Sequence, residues 1–251
     1  MGIFLLAACG GEGSDSNTDA GSTTEQTADT APPVEAADAT ATIKGEVLYT
    51  GKAPRMRRIK MDADPVCVEA NPDKVYDQSI VLSDNGGLEN VFVYVKVGFE
   101  GQTFPMPTEP VVFDQSSCTY SPHVFGIRAK QNLEILNSDA TLHNVHATPK
   151  KSSEFNVGMP TKGMKITKKF KNAEIMVHIK CEVHPWMNAY CGVLDHPYFA
   201  VAGSGGTFEL PMLPAGTYTI EAWHEKLGTQ TQEVTVGDGE TQEITFEFSA
   251  S

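Results

Sequence analysis

The chain has 251 residues, 40% of them hydrophobic and 20% charged, enough to bury one or two ordinary cores. Its formal net charge is −13, and the first 41 residues hold seven acids with no lysine or arginine, so more than half of that charge belongs to the N-terminal tail. A net acidic chain without a dominant basic domain is set aside as a nucleic-acid binder, and no apolar run reaches the 18 residues of a membrane-spanning helix.

The sequence opens with Ile3-Phe4-Leu5-Leu6-Ala7-Ala8, a short apolar run ending in small residues directly before Cys9 and Gly10-Gly11. Leu6-Ala7-Ala8-Cys9 resembles the lipobox of bacterial lipoproteins. That resemblance implies a signal remnant over residues 1–8, lipidation of Cys9, and a membrane-anchored protein of the cell envelope, in the periplasm or at the outer membrane. The charged n-region of a secretory signal is missing, so the natural start codon is expected upstream, or the N-terminus has been trimmed. Ser14 to Thr40 is rich in Ser, Thr, Ala, Asp and Glu and contains Pro32-Pro33. Such a stretch is too polar to fold, so residues 9–41 are expected to form a flexible tether.

Beyond the tether the pattern has period two almost throughout, and no convincing long helix is predicted. Ile43, Val47 and Tyr49 alternate with Lys44, Glu46 and Leu48. Val91, Val93, Val95 and Val97 alternate with Phe92, Tyr94 and Lys96, which predicts a strand buried on both faces. Leu133 and Ile135, then Ile175, Val177 and Ile179, then Tyr218 and Ile220, then Ile244, Phe246 and Phe248 repeat the habit, with turn signals such as Asp84-Asn85-Gly86-Gly87 and Gly237-Asp238-Gly239 between them. The fold class is all-β, as two small sandwiches.

Gly206-Thr207-Phe208 followed by Leu213-Pro214-Ala215-Gly216-Thr217-Tyr218 resembles the carboxypeptidase regulatory-like, transthyretin-type sandwich. The opening strand and turn typical of that family stand far upstream, as Ile43-Lys44-Gly45-Glu46-Val47 and Gly51-Lys52-Ala53-Pro54. This arrangement implies one domain assembled from residues 42–103 and 199–251, with a second inserted at 104–198. Two domains in series are the alternative.

The inserted segment holds the chemistry. Cys181-Glu182-Val183-His184-Pro185-Trp186-Met187 gives Cys-x2-His-x2-Met at the end of an apolar strand, and Leu142-His143-Asn144-Val145-His146 lies upstream. One thiolate, two imidazoles and a thioether make the soft, mixed donor set of a type 1 copper site. Alternation along Ile175, Val177 and Ile179 carries Cys181 onto the buried face. A tight loop can then return His184 and Met187 to the same ion, while His143 arrives from another strand.

This pattern resembles the cupredoxins, with a ligand loop similar to that of amicyanin. The resemblance implies copper on His143, Cys181, His184 and Met187, with His143 as the buried anchor, His184 as the exposed exit for electrons and Met187 tuning the potential. Many cupredoxins carry Ser or Thr after the ligand cysteine. Here Glu182 takes that place opposite Asn144, so its carboxylate would accept from the Asn144 amide and, if ionised, lower the potential. Pro185 and Trp186 flank His184 where cupredoxins meet electron partners, although packing under the loop accounts for Trp186 equally well. The implied function is single-electron transfer, without enzymatic activity, by a monomer whose partner is a redox protein such as a cytochrome or an envelope oxidoreductase. Copper capture and delivery, or a structural module with a vestigial site, are the alternatives.

A nucleophile–base reading of Cys181 and His184, or a zinc site, leaves Met187 without a role. Once Cys9 is lipidated and Cys181 metallated, Cys67 and Cys118 remain in an oxidising compartment; a Cys67–Cys118 disulfide is the favoured reading and free thiols are the alternative, with Cys191 as a buried strand cysteine. His146 reads as a packed or rim residue. Seven lysines between Lys150 and Lys171 face only Glu154 in sequence. They form either a solvated hairpin face or a docking patch for an acidic redox partner.

Overall fold

The structure is a computed structural model that describes residues 39–250. The lipobox, Cys9 and almost all of the proposed tether lie outside these residues. Among the described residues no helix is long and apolar enough to cross a membrane.

Strand β1 (Ala41–Tyr49), helix α1 (Pro65–Ala70) and strand β2 (Phe92–Val97) come first. Then follow β3 (Val111–Ser116), β4 (Thr119–Ser121), β5 (Val124–Arg128), β6 (Leu133–Asn137), β7 (His143–Ala147), β8 (Phe155–Met159), β9 (Met164–Lys168), β10 (Glu174–Lys180) and β11 (Asn188–Leu194). The chain ends with β12 (Phe199–Val201), β13 (Thr207–Leu213), β14 (Gly216–His224), β15 (Gly228–Val236) and β16 (Thr241–Phe248). The molecule is thus almost entirely β.

Strands β3 to β11 form two sheets, ordered β5-β11-β10-β7-β8 and β4-β3-β6-β9. Their inward residues, among them Phe113, Ile127, Leu133, Ile135, Val145, Val177 and Ile179, make one apolar core. The flanking strands form the other two sheets, β13-β1-β16 and β12-β2-β14-β15. β1 runs antiparallel to β13 and parallel to β16, so the earliest strand is flanked on both sides by strands from the end of the chain. Ile43, Val47, Val91, Val93, Val95, Leu210, Ile220 and Phe246 fill the core between these sheets. We call the first pair of sheets the inner sandwich and the second the outer sandwich.

The Val91–Val95 run shows why β2 is apolar on both faces. Its valines enter the outer core, while Phe92 and Tyr94 point the other way into a third cluster with Val124 and Leu194 of the inner sandwich. Two glycines make that approach possible. A Cβ at Gly126 would fall 2.2 Å from the Phe199 ring, and one at Gly192 would fall 2.4 Å from that of Phe92. Any side chain there would push the two sandwiches apart.

Between β1 and β2 the chain makes a strap. Its limbs are joined by Ile59 N–H to Val75 O at 2.9 Å and Asp77 N–H to Arg57 O at 2.9 Å, with α1 at its far end. Asp64 caps α1, its carboxylate accepting from Val66 N–H at 2.8 Å, and Pro65 follows it where no amide is needed. The structure pairs Cys67 of α1 with Cys118 in the β3–β4 turn. Asn71 reinforces that anchor by donating to Cys67 O and Ser117 O, both at 2.9 Å.

Candidate metal centre

Two strands and one loop build the site at one pole of the inner sandwich. β10 leads into Cys181, and the loop after it closes on itself: Cys181 N–H donates to Met187 O at 3.1 Å, and Met187 N–H to His184 O at 2.9 Å. β7 delivers His143 and Asn144 alongside. The Asn144 side-chain oxygen accepts from Glu182 N–H at 2.7 Å and from the Cys181 thiol at 3.3 Å, which ties the loop to the strand. His184 N–H donates to Cys181 Sγ at 3.3 Å. The Tyr120 hydroxyl donates to Asn144 O and holds that residue from behind.

The three residues converge. One donor atom each from His143, Cys181 and His184 lies within 4.8 Å of the others, and all three side chains are buried. The two Nδ1 atoms face each other at 2.9 Å. Both Nε2 atoms point away onto carboxylates: His143 Nε2–H donates to Asp139 at 2.8 Å and His184 Nε2–H to Asp64 at 3.1 Å. Each ring thereby turns its Nδ1 inward, which is how a neighbouring carboxylate orients a metal-binding histidine. Met187 is buried in the same core beside Cys181.

The charges follow this geometry. Burial works against a charged His143, but the Asp139 carboxylate and Cys181 outweigh it and raise its pKa to about 9. Burial lowers that of His184, more than Asp64 restores, and a positive His143 pushes the same way. Burial raises Cys181, but His143 and N–H donors including that of His184 bring its thiol below the usual value. Burial also raises Asp139, yet His143 and the Cys118 and Ser117 amides hold it below an ordinary carboxylate. Of the two rings, His143 is therefore the one that holds the proton bridging the two Nδ1 atoms.

Two sequence-based expectations need correction. His184 was expected to be an exposed exit, but it is only 2% exposed. The strap covers it, with Asp64 on its Nε2 and Cys67 Sγ 3.7 Å from the same nitrogen. Glu182 was expected to face the Asn144 amide. Its carboxylate instead meets His146 at 2.6 Å and Lys180 at 2.9 Å on the exposed side of the loop, because alternation turns position 182 away from the side that Cys181 faces. The Asn144 amide donates to Asn156.

The remaining residues are placed as follows. Pro185 is exposed, while Trp186 is half-buried against the strap, its indole N–H donating to Cys118 O at 2.9 Å and its ring centred 5.0 Å from that of His184. Beside Trp186 and Met187 a cleft of about 170 Å³ opens between Arg57, Tyr76, His123 and Tyr190. His146 is half-buried between Glu154 and Glu182, and Cys191 is a buried free thiol. The lysine-rich stretch runs away from the site. Met164 pairs with Asn137 at the metal pole, whereas Lys168 pairs with Leu133 at the other end of β9, about 13 Å on. Lys150 and Lys151 lie at that far end too, their amides donating to Glu174.

The sequence alone did not bring out Asp139 and Asp64. Asp139 had a signal, since it stands four residues before His143 at the end of a polar turn. Asp64 had none, being 120 residues from the histidine it meets.

Comparisons with known proteins add the following. The profile of polysaccharide lyase family 4, domain II, matches residues 172–244. No curated protein matches the chain. A copper-containing nitrite reductase from Thermus scotoductus SA-01 is similar over 41% of this chain and 26% of its own, at 18% identity and a TM-score of 0.33, so the match spans about a quarter of that enzyme. A mutant of amicyanin in its Cu(I) form is similar over 34% of this chain and 81% of its own, at 21% identity and a TM-score of 0.30. A purple cupredoxin from Nitrosopumilus maritimus is similar over 33% of this chain and 98% of its own, at 18% identity and a TM-score of 0.29.

Proposed function

We propose that this chain is a type 1 copper protein carrying single electrons at the cell envelope, in which His143, Cys181 and His184 would hold one copper ion and Met187 would add its thioether. The observation that carries the reading is the donor set: two imidazole nitrogens and one sulfur, all buried, turned toward one another while each ring's other nitrogen is taken by a carboxylate. Soft thiolate with two imidazoles and a thioether is what copper in such proteins selects. Structural zinc takes fuller Cys and His sets and gives Met187 nothing to do.

When bound, copper supplies a one-electron couple. The chain's own residues keep the site rigid and dry. Asp139 and Asp64 hold the two rings, Asn144 fixes the backbone at Cys181 and Glu182, and the hydrogen bonds across residues 181–187 resist opening of the loop. A site that cannot relax much loses little energy to rearrangement when its charge changes. The enclosure of His184 behind a disulfide-anchored strap favours electron transfer over copper delivery, which needs ready exchange. In this reading the protein has no substrate chemistry of its own. A lipid on Cys9 holds it to the membrane, and its partner is a redox protein.

The test is the visible absorption and EPR spectrum after one equivalent of Cu(II). Strong thiolate-to-copper charge transfer with narrow copper hyperfine splitting, lost in Cys181→Ser, supports the proposal. A weak tetragonal spectrum indifferent to that substitution sinks it.

A further inference from the structure

We infer that Asp64, from outside the inner sandwich, is a positioning residue for the metal ligand His184, so that the strap is a working part of the site; the inference rests on the copper reading above. The carboxylate is fully engaged. One oxygen accepts from Val66 N–H at 2.8 Å and starts α1. The other accepts from Thr141 Oγ1–H at 2.7 Å and from His184 Nε2–H at 3.1 Å. Thr141 lies two residues before His143, so the same oxygen links the strap to both ligand-bearing segments.

The strap itself is held in place. The Cys67–Cys118 disulfide, the two Asn71 hydrogen bonds and the packing of Met61 with Ile59, Val75 and Trp186 fix α1 over the loop. Cys67 Sγ lies 3.7 Å from His184 Nε2, so the disulfide packs directly against the ring that Asp64 holds. A carboxylate on the outer nitrogen makes the ring a stronger donor at Nδ1 and adds a fixed negative charge near the ion. Both effects favour the more highly charged state of a bound metal.

Asp64→Asn separates this role from folding. Asparagine caps a helix as well as aspartate does, but its amide cannot accept from both Thr141 and His184 while also capping. The experiment uses the whole chain with its disulfide intact and has two readouts. In the metal-free protein, 15N-edited proton spectra should show a low-field, slowly exchanging His184 Nε2–H that is lost in Asp64→Asn and kept in Thr141→Val. In the copper-loaded protein, the ratio of Cu(II) to Cu(I) affinity should fall about ten-fold in Asp64→Asn, read as a rise of about 59 mV in reduction potential. An unchanged His184 proton together with an unchanged potential in Asp64→Asn overturns the inference. A wild-type protein without a thiolate–copper band overturns the copper reading instead, and the metal-free proton spectrum still decides whether Asp64 holds His184.

Discussion

The two sandwiches bury apolar cores of similar make-up, but one buried polar cluster in each is used in the opposite way from the other. In the outer sandwich Glu221 accepts from the Tyr94 hydroxyl and pairs with Lys96 at 2.5 Å, a local arrangement that leaves no donor atom facing a neighbour's. In the inner sandwich Asp139 and Asp64 satisfy the outer edges of two histidines and leave their inner edges toward Cys181. Buried polar groups that satisfy one another completely stabilise a fold. Groups satisfied on one side only, with their other donor atoms turned to a common point, make a site.

The sharpest way to break this comparison is substitution at the convergence point. Cys181→Ser should abolish the charge-transfer band, whereas Glu221→Gln should leave it intact, as absorption after copper loading will show. Next comes the outer core. Phe246→Ala, at a fully buried position, should cost about 3–5 kcal/mol in denaturant unfolding while the copper spectrum of the folded fraction stays the same. A changed spectrum would show that the sandwiches are coupled through the Phe92 and Phe199 contacts. Replacing Cys67 and Cys118 together with serine should cost about 2–4 kcal/mol and, unlike Phe246→Ala, should make the bound copper faster to exchange with a chelator.

The two sandwiches should also differ in pH response. His143 in the metal-free protein is raised to about 9, so its stabilising contribution is complete below about 6.5 and is lost as the pH rises through about 9. Copper must displace that proton, so loading should tighten about ten-fold per pH unit over the same interval. In the outer sandwich His224 is pushed down to about 4 by burial. It is neutral when folded, and stability falls as the pH drops from about 6.5 toward 4 because the unfolded chain takes up the proton first. Melting of the metal-free protein across pH 4–9 would show both wings, and an alkaline wing that survives in His143→Asn would refute the first assignment. The smallest effect is expected from Glu182→Gln. Its carboxylate faces His146 and Lys180 rather than the thiolate, so the copper spectrum should not move. A shift would mean that the loop rearranges on loading.

How much of the site could be read from sequence depended on distance along the chain. The Cys-x2-His-x2-Met loop is a local pattern, and the two-residue alternation of β10 delivers Cys181 to the buried side, so these residues announce themselves. The all-β class followed from the same alternation, and the double apolar face of β2 marked a strand packed between two cores. Glu182 follows the alternation, which sends it outward, and not the family pattern. The burial of His184 is not local, since the element that hides it lies in a different part of the chain. Nothing in Asp64-Pro65-Val66-Cys67 says more than a capped helix start until the bond to Cys118 puts it beside the loop.

The pairing of β1 with β13 and β16 sets an order of events when the chain emerges from its N-terminal end. The strands of the inner sandwich are all present once residue 194 has appeared. β1 is made first of all, yet it must wait for residues 207–248 to supply both its neighbours. Until then only its second half is met, by the short bridge to residues 86–88, and the rest is an open edge with apolar residues on one side, the kind that invites wrong partners. The ligand-bearing part can thus close early, while the oldest strand in the chain is the last to be protected.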